Sequence, residues 1–203
     1  MRIHVHPERT SPRQLIPAIE ALRSDGVIIY PTDTGYAFGC AMSSPKGMAK
    51  IRRLKGYDDR HPKPLTMIVA DVADLGRYGQ LGNRTFRVVR RLLPGPYTIV
   101  LGATKEVPRP MKNKDHEVGM RMPDHGICKL LVAQLGEPLL TGSCTPAEGE
   151  IGLEDPEELE RIHGRDVDVV LDAGMIWPEP STVLRLSDDE LEVLREGQGP
   201  LPT

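Results

Sequence analysis

Val27-Ile28-Ile29-Tyr30-Pro31-Thr32-Asp33-Thr34-Gly35-Tyr36-Ala37-Phe38-Gly39 is the stretch on which the reading of this chain turns. Its first four residues are β-branched or aromatic, which suits a buried strand. The spacing therefore predicts a strand over 27–30 leading straight into Pro31, with the rest of the segment at that strand's end. Sheet proteins bind ligands at such ends, where loop backbone and hydroxyl groups converge on a cleft. Thr32 and Thr34 supply hydroxyls, and Gly35 and Gly39 let a ligand approach the backbone. Residue type alone equally allows a plain turn in which Thr32 and Asp33 cap local backbone groups.

Working outward, Ser11-Pro12-Arg13-Gln14 reads as a helix start, with Ser11 capping, Pro12 in the first turn and Gln14 closing a capping box. Leu15, Ile16, Ile19 and Leu22 give that helix an apolar face, and Gly26 follows it. Ser44-Pro45 repeats the pattern, with Met48, Ile51 and Leu54 at helical spacing and Lys55 at the exit. Further strands are expected over 65–70, 97–101, 118–122, 139–143 and 167–171. Helices are expected over 83–93, from an Asp124 cap to Leu135, and from Asp155-Pro156. Residues 182–186 and 191–195 flank a polar turn and read as a hairpin. This alternation predicts an α/β (α+β) fold: one domain over 1–203, with helices flanking a twisted mixed β-sheet.

The composition fits one soluble core at 203 residues, and the many Gly and Pro imply tight connections between short elements. No stretch approaches the roughly 20 apolar residues of a membrane span, and no secretory signal opens the sequence, so a cytoplasmic location without a membrane partner is expected. Cys40, Cys128 and Cys144 are far apart and fit reduced thiols. Cys144 has no histidine and acid placed recognisably around it, which argues against a nucleophile. His4 and His6 alternate along an apparent strand, but no third ligand stands near them, so no metal site is expected. Basic residues concentrate over 46–63 and 84–114 and acidic ones over 145–192. That polarity allows a positive surface for phosphates or nucleic acid as well as ordinary solvated helix faces.

The segment 31–39 resembles the Pro-Thr-(acidic)-Thr-x-Tyr-Gly-Leu-Gly signature of the YrdC/YciO family, whose best-known members are threonylcarbamoyl-AMP synthases. Matching pieces follow in the family's order: Lys55-Gly56, Lys63-Pro64-Leu65, Pro94-Gly95-Pro96-Tyr97-Thr98, Gly119-Met120-Arg121-Met122-Pro123, Pro138-Leu139-Leu140-Thr141-Gly142-Ser143, Ser181-Thr182-Val183 and Arg195-Glu196-Gly197. The resemblance spans nearly the whole chain and implies a YrdC-like fold that binds nucleotide and RNA. It also implies conversion of ATP, bicarbonate and L-threonine to threonylcarbamoyl-AMP and pyrophosphate for tRNA modification. By the same resemblance Lys55 and Arg60 serve catalysis beside the phosphates, and Lys55, Lys63, Ser143 and Arg195 hold the nucleotide. Thr34, Arg121, Thr141 and Ser181 surround a small amino acid. ATP and Mg²⁺ are the implied cofactors, and tRNA or double-stranded RNA the implied macromolecular partner.

Two of these residues have plain alternatives. Lys55 would complement a helix dipole, and Arg121 would serve equally in a structural ion pair. The chain also departs from the synthase pattern. Tyr57 stands where synthases carry the arginine of Lys-x-Arg, with Arg60 three positions later, and Thr145 stands where asparagine is expected. Tyrosine cannot replace a planar, permanently charged donor. The sequence thus lies nearer the YciO branch, with an altered active site. The alternative expectation is a non-catalytic double-stranded RNA- or tRNA-binding module of the same fold.

Overall fold

In the computed structural model, which describes residues 1–57, 64–144, 154–188 and 190–201, the segment 27–39 is a two-stranded hairpin. In chain order the elements are β1 Arg2–His4, a 3-10 turn Pro12–Leu15, α1 Ile16–Arg23, β2 Ile28–Thr32, β3 Gly35–Ala41, α2 Pro45–Leu54, β4 Thr66–Ile68, α3 Val72–Tyr78 and α4 Asn83–Leu92. They continue with β5 Tyr97–Gly102, a 3-10 turn Arg109–Met111, β6 Glu117–Arg121, α5 Gly126–Leu135, β7 Leu139–Ser143, α6 Pro156–His163, β8 Val169–Asp172, β9 Thr182–Leu186 and β10 Leu191–Arg195.

The described strands form one mixed sheet in the order β1-β8-β2-β3-β7-β4-β6-β5-β9-β10. Side chains alternate between its faces. One face carries Ile29, Phe38, Leu140, Met67, Met120, Ile99 and Leu184, buried with Met48 and Ile51 of α2, Leu75 of α3, Val89 of α4 and Leu159 of α6. On the opposite face Ile28, Tyr30, Ala37, Ile68 and Leu139 pack against α1 and α5 through Leu22, Ile127 and Leu131. Each fully buried leucine or isoleucine there contributes about 1.5–3 kcal/mol of transfer free energy. The cover of α1 and α5 does not extend along this face. Over β6, β5 and β9 the same face carries Gly119, Arg121, Thr98, Val100, Val183 and Arg185, which line an open cleft.

Several elements differ from the sequence expectation. The first strand of the hairpin does not stop at Tyr30. β8 pairs β2 only at Ile28 and Ile29, so Pro31 lies beyond that ladder and its absent N–H costs no bond there. The second arm, β3, and the short helix α3 were not foreseen. The cap of α5 is His125, whose Nδ1 accepts from Ile127 N at 3.3 Å, and not Asp124. Asp124 instead donates its N–H to Asp33 Oδ2 at 3.0 Å. The helix expected at Ser11 opens with a 3-10 turn, and the strand expected over 65–70 is limited to Thr66–Ile68. His4 Nδ1 lies 3.0 Å from Asp172 Oδ2, whereas His6 Nδ1 accepts from Glu8 N at 3.2 Å, so the two histidines face separate partners.

Candidate active site

The cleft holds about 350 Å³, within the range of small-molecule sites. Thr34, Arg121, Thr141, Ser143, Ser181 and Arg195, brought together from five separate parts of the chain, all line it. Lys55, the C-cap of α2, reaches the rim: its Nζ donates to Ser143 O at 2.7 Å and to Ser143 Oγ at 3.3 Å. Its position at a helix end therefore does not restrict it to the dipole role. Arg60, Lys63 and Thr145 lie outside the described residues. Tyr57 lines the cleft.

One end of the cleft is built around two guanidinium groups. Arg121 Nη2 donates to Asp33 Oδ1 at 2.6 Å, and both side chains are only 11% exposed. The structural ion pair allowed by sequence is thus present, but it occupies one corner of the guanidinium. Among the described residues Arg121 Nε is buried without a hydrogen-bond partner, which costs roughly 1–3 kcal/mol. Arg195 donates to Ser181 O from Nη2 at 2.7 Å and from Nε at 3.2 Å, and Ser181 Oγ sits 2.8 Å from Thr98 Oγ1. Burial, then the positive charge of Arg121, lowers the pKa of Arg195. Arg121 is paired with Asp33, whereas among the described residues Arg195 makes no salt bridge, so this end of the cleft suits an anion.

A β-bulge aims Arg195. β10 pairs Val193 with Leu184 but Arg195 with Val183, so Leu194 is the extra residue. Without it, Arg195 would fall opposite Thr182 on the covered face of the sheet. The hydroxyls are similarly fixed by their partners. Thr32 Oγ1 donates to Gly35 O at 2.7 Å and lies 3.2 Å from Thr34 Oγ1. With the Thr32 proton committed, Thr34 donates to Thr32 and keeps its lone pairs for the cleft. Thr141 Oγ1 accepts from Tyr30 OH at 2.8 Å and donates to Phe38 O at 3.1 Å, so its proton is also committed.

The hairpin turn is clamped from outside. Glu179 N donates to Thr34 O at 3.3 Å, and Tyr36 OH bridges Ala173 N at 3.0 Å and Gly174 O at 2.7 Å. Gly35 has φ of 116°, which strains any side-chain-bearing residue, and a Cβ there would lie a tight 3.2 Å from Pro178. At the far end, Arg185 Nε lies 2.9 Å from Glu117 Oε1 and Arg185 Nη1 donates to Glu192 Oε2 at 2.7 Å. Cys144 is buried, and burial pushes its thiol pKa up, so it keeps its proton and is unsuited to nucleophilic attack. Sequence reading missed Asp33 and Thr98 as site residues although both fall inside the quoted motifs. Glu117 and Arg185 lie outside those motifs.

The sequence model of the Sua5/YciO/YrdC family, described as telomere recombination, matches residues 20–197. The YciO protein of Escherichia coli (strain K12) is 37% identical over 197 residues, covering 97% of this chain and 95% of that protein. Its solved crystal structure superposes with a TM-score of 0.91 at 36% identity, covering 98% of this chain and 97% of that one. Threonylcarbamoyl-AMP synthase of Mus musculus is 32% identical over 197 residues, covering 95% of this chain and 67% of that protein. P. abyssi Sua5, solved complexed with L-threonine, shares the fold at a TM-score of 0.86 and 24% identity, covering 97% of this chain and 57% of that one. Among the described residues no helix is long and apolar enough to cross a membrane.

Proposed function

The chain belongs to the Sua5/YciO/YrdC family, and on that premise we propose that it is a threonylcarbamoyl-AMP synthase-like enzyme whose nucleotide end is altered. The observation that carries the reading is that the guanidinium side chains of Arg121 and Arg195 line one cleft, the first paired with Asp33 and the second held by Ser181, a cationic end that calls for an anion. The α-carboxylate of L-threonine meets that need, since guanidinium and carboxylate pair through parallel hydrogen bonds. The relative named threonylcarbamoyl-AMP synthase and the Sua5 complexed with L-threonine support the same assignment.

In the proposed reaction the amine of threonine and bicarbonate give a carbamate and water. A carbamate oxygen then attacks the α-phosphorus of ATP, and the bond to the bridging oxygen breaks so that pyrophosphate leaves with its electron pair. The protein's task is to hold the reactants in line and offset phosphate charge. Lys55 Nζ, held at Ser143, supplies one cation at the rim. Arg60 and Lys63 are proposed to add to it. Among the described residues no three His, Cys, Asp or Glu side chains converge as a metal cage. Mg²⁺ therefore fits as an ion carried by the nucleotide phosphates, where it would neutralise charge on the leaving group. ATP and bicarbonate as co-substrates accord with a cytoplasmic reaction, and the product would serve tRNA modification.

Tyr57 defines the alteration. It faces the cleft where the synthase pattern has arginine, so one permanently charged phosphate donor is missing and turnover is expected to be slower than in a synthase that has it. The test is pyrophosphate release from ATP, with each amino acid in turn, with and without bicarbonate. Release that needs both L-threonine and bicarbonate, and that Lys55→Ala abolishes, is the expected result. ATP turnover indifferent to amino acid would overturn the reading. If no amino acid stimulates release while double-stranded RNA or tRNA binds with steep salt dependence, the non-catalytic module replaces it.

A further inference from the structure

The cleft has a third corner besides its guanidinium end and its Lys55 rim. Glu117, Gly119 and Arg121 alternate along β6 on the open face of the sheet, and all three line the cleft. Thr141 of β7 pairs with Thr66 of β4, and Met67 of β4 with Met120 of β6, so Thr66 lies beside Gly119. From that row Ser143 and Glu117 are each two residues along their strands, towards the same side. Two strand spacings, roughly 10 Å, separate them, whereas four residues of strand put Glu117 roughly 13 Å from Arg121.

Among the described residues Glu117 is the one carboxylate in the lining, and its side chain is 15% exposed. Its setting is fixed by its neighbours. Asn113 Oδ1 accepts from Glu117 N at 2.7 Å and from Asp115 N at 3.0 Å, which turns Asn113 Nδ2 onto Glu117 Oε2 at 2.8 Å. Arg185 Nη2 donates to the same oxygen at 3.3 Å, and Arg185 Nε lies 2.9 Å from Oε1. Oε1 therefore keeps a lone pair for one further donor. The floor in front of it is bare. A Cβ on Gly119 would meet Thr98 Cγ2 at 3.5 Å and Thr66 Oγ1 at 3.7 Å, ordinary contacts, so the fold itself tolerates a side chain there. A strand glycine that packing does not demand marks a place where a ligand comes close to the backbone. Val100, opposite Gly119 on β5, continues that floor and stands beside Arg185 of β9.

We propose that Glu117 sets which nucleobase the cleft admits: the base lies flat over Gly119 and Val100, and its exocyclic amine donates to Glu117 Oε1. The inference rests on the synthase-like reading for the phosphates at Lys55, because a nucleotide anchored there reaches the Glu117 corner with its base. Adenine supplies the amine at C6. Hypoxanthine presents a carbonyl oxygen at that position, which would face the carboxylate with no proton between them, and a site built to accept an N–H discriminates strongly against such an analogue. Calorimetric titration of the full chain with ATP, inosine triphosphate and 2′-deoxy-ATP, in the absence of amino acid, reads the contact apart from turnover. The wild type should bind ATP at least about tenfold more tightly than inosine triphosphate, and 2′-deoxy-ATP within about twofold of ATP, since the sugar hydroxyl is not the donor. Glu117→Gln, whose amide both donates and accepts, should bring ATP and inosine triphosphate within about threefold of each other. Gly119→Ala should weaken both nucleotides alike without lowering the thermal unfolding midpoint, as alanine suits a strand better than glycine. Glu192→Gln removes a partner of Arg185 outside the lining and should keep the base preference, which separates reading the base from bracing the sheet edge. Pyrophosphate release absent with every nucleotide would overturn the synthase-like reading, while a tenfold preference in the titration would still uphold the base contact. Failure of the wild type to bind either nucleotide, equal binding of the two, a preference that survives Glu117→Gln, or a loss with 2′-deoxy-ATP in place of inosine triphosphate would each overturn the proposal.

Discussion

Neutralising either partner of the Asp33–Arg121 pair separates what that pair does for the fold from what it does for a ligand. The contact is 2.6 Å and both side chains are about nine-tenths buried. Arg121→Met strands the Asp33 carboxylate with only the Asp124 N–H, and Asp33→Asn strands the guanidinium near the charge of Arg195. Each single variant should lose about 3–5 kcal/mol of stability, the cost of leaving one buried charge uncompensated. The double variant Asp33→Asn/Arg121→Met removes both charges and should recover to within about 1 kcal/mol of wild type. Ligand affinity should not follow that recovery. Losing a charge-assisted contact to the amino-acid carboxylate costs about 1.5–3 kcal/mol, or roughly 10- to 150-fold in Kd. Urea unfolding and calorimetric titration with L-threonine measure the two quantities on the same proteins. A double variant that bound L-threonine as the wild type does would show that Arg121 holds no carboxylate. Single variants costing under about 1 kcal/mol would show that the pair is not a buried electrostatic unit.

Three further outcomes follow from the geometry. Burial holds His125 below its ordinary value of 6.5, so beneath that value the unfolded chain binds more protons than the folded one. Stability is therefore full above about 6.5 and falls as pH drops through the window below it. His125→Asn keeps a cap that does not titrate and should flatten the profile, leaving the part due to His163, which burial shifts the same way. A profile unchanged by the substitution would contradict this. Gly39→Ala places a Cβ 2.7 Å from Tyr30 Cε1, and thermal unfolding should show a loss of about 1–3 kcal/mol from overpacking. Cys144→Ala should leave pyrophosphate release within about twofold of wild type, because a thiol kept protonated by burial is no nucleophile. Abolished turnover in a folded variant would restore covalent catalysis as a reading.

How much was legible depended on whether the signal was local. The terminal hairpin matched its expected bounds because Leu191 to Arg195 and Thr182 to Leu186 flank a polar turn. β3 was missed because Gly35 and Gly39 weaken strand propensity, although Gly39 is there to admit the Tyr30 ring. α3 was missed because it has seven residues including Gly76, and its Asp71 cap was overlooked. Asp124 and His125 are both plausible caps, and only the tertiary bond from Asp124 N to Asp33 decides between them. Thr34, Arg121, Thr141, Ser143, Ser181 and Arg195, drawn from family motifs, all line one cleft. Their mutual chemistry was not legible in the sequence. Asp33 and Arg121 lie 88 residues apart, and the bulge at Leu194 that turns Arg195 into the cleft leaves no trace in composition or periodicity.

The most direct measurement of the central claim follows the carbon of bicarbonate. Purified protein is incubated with ATP, L-threonine and carbon-14 bicarbonate, and the nucleotides are separated by chromatography. The account predicts labelled carbon in an AMP adduct that forms only when L-threonine is present and whose amount matches the pyrophosphate released. Unlabelled AMP or ADP as the sole nucleotide product, at a rate indifferent to L-threonine, would contradict it.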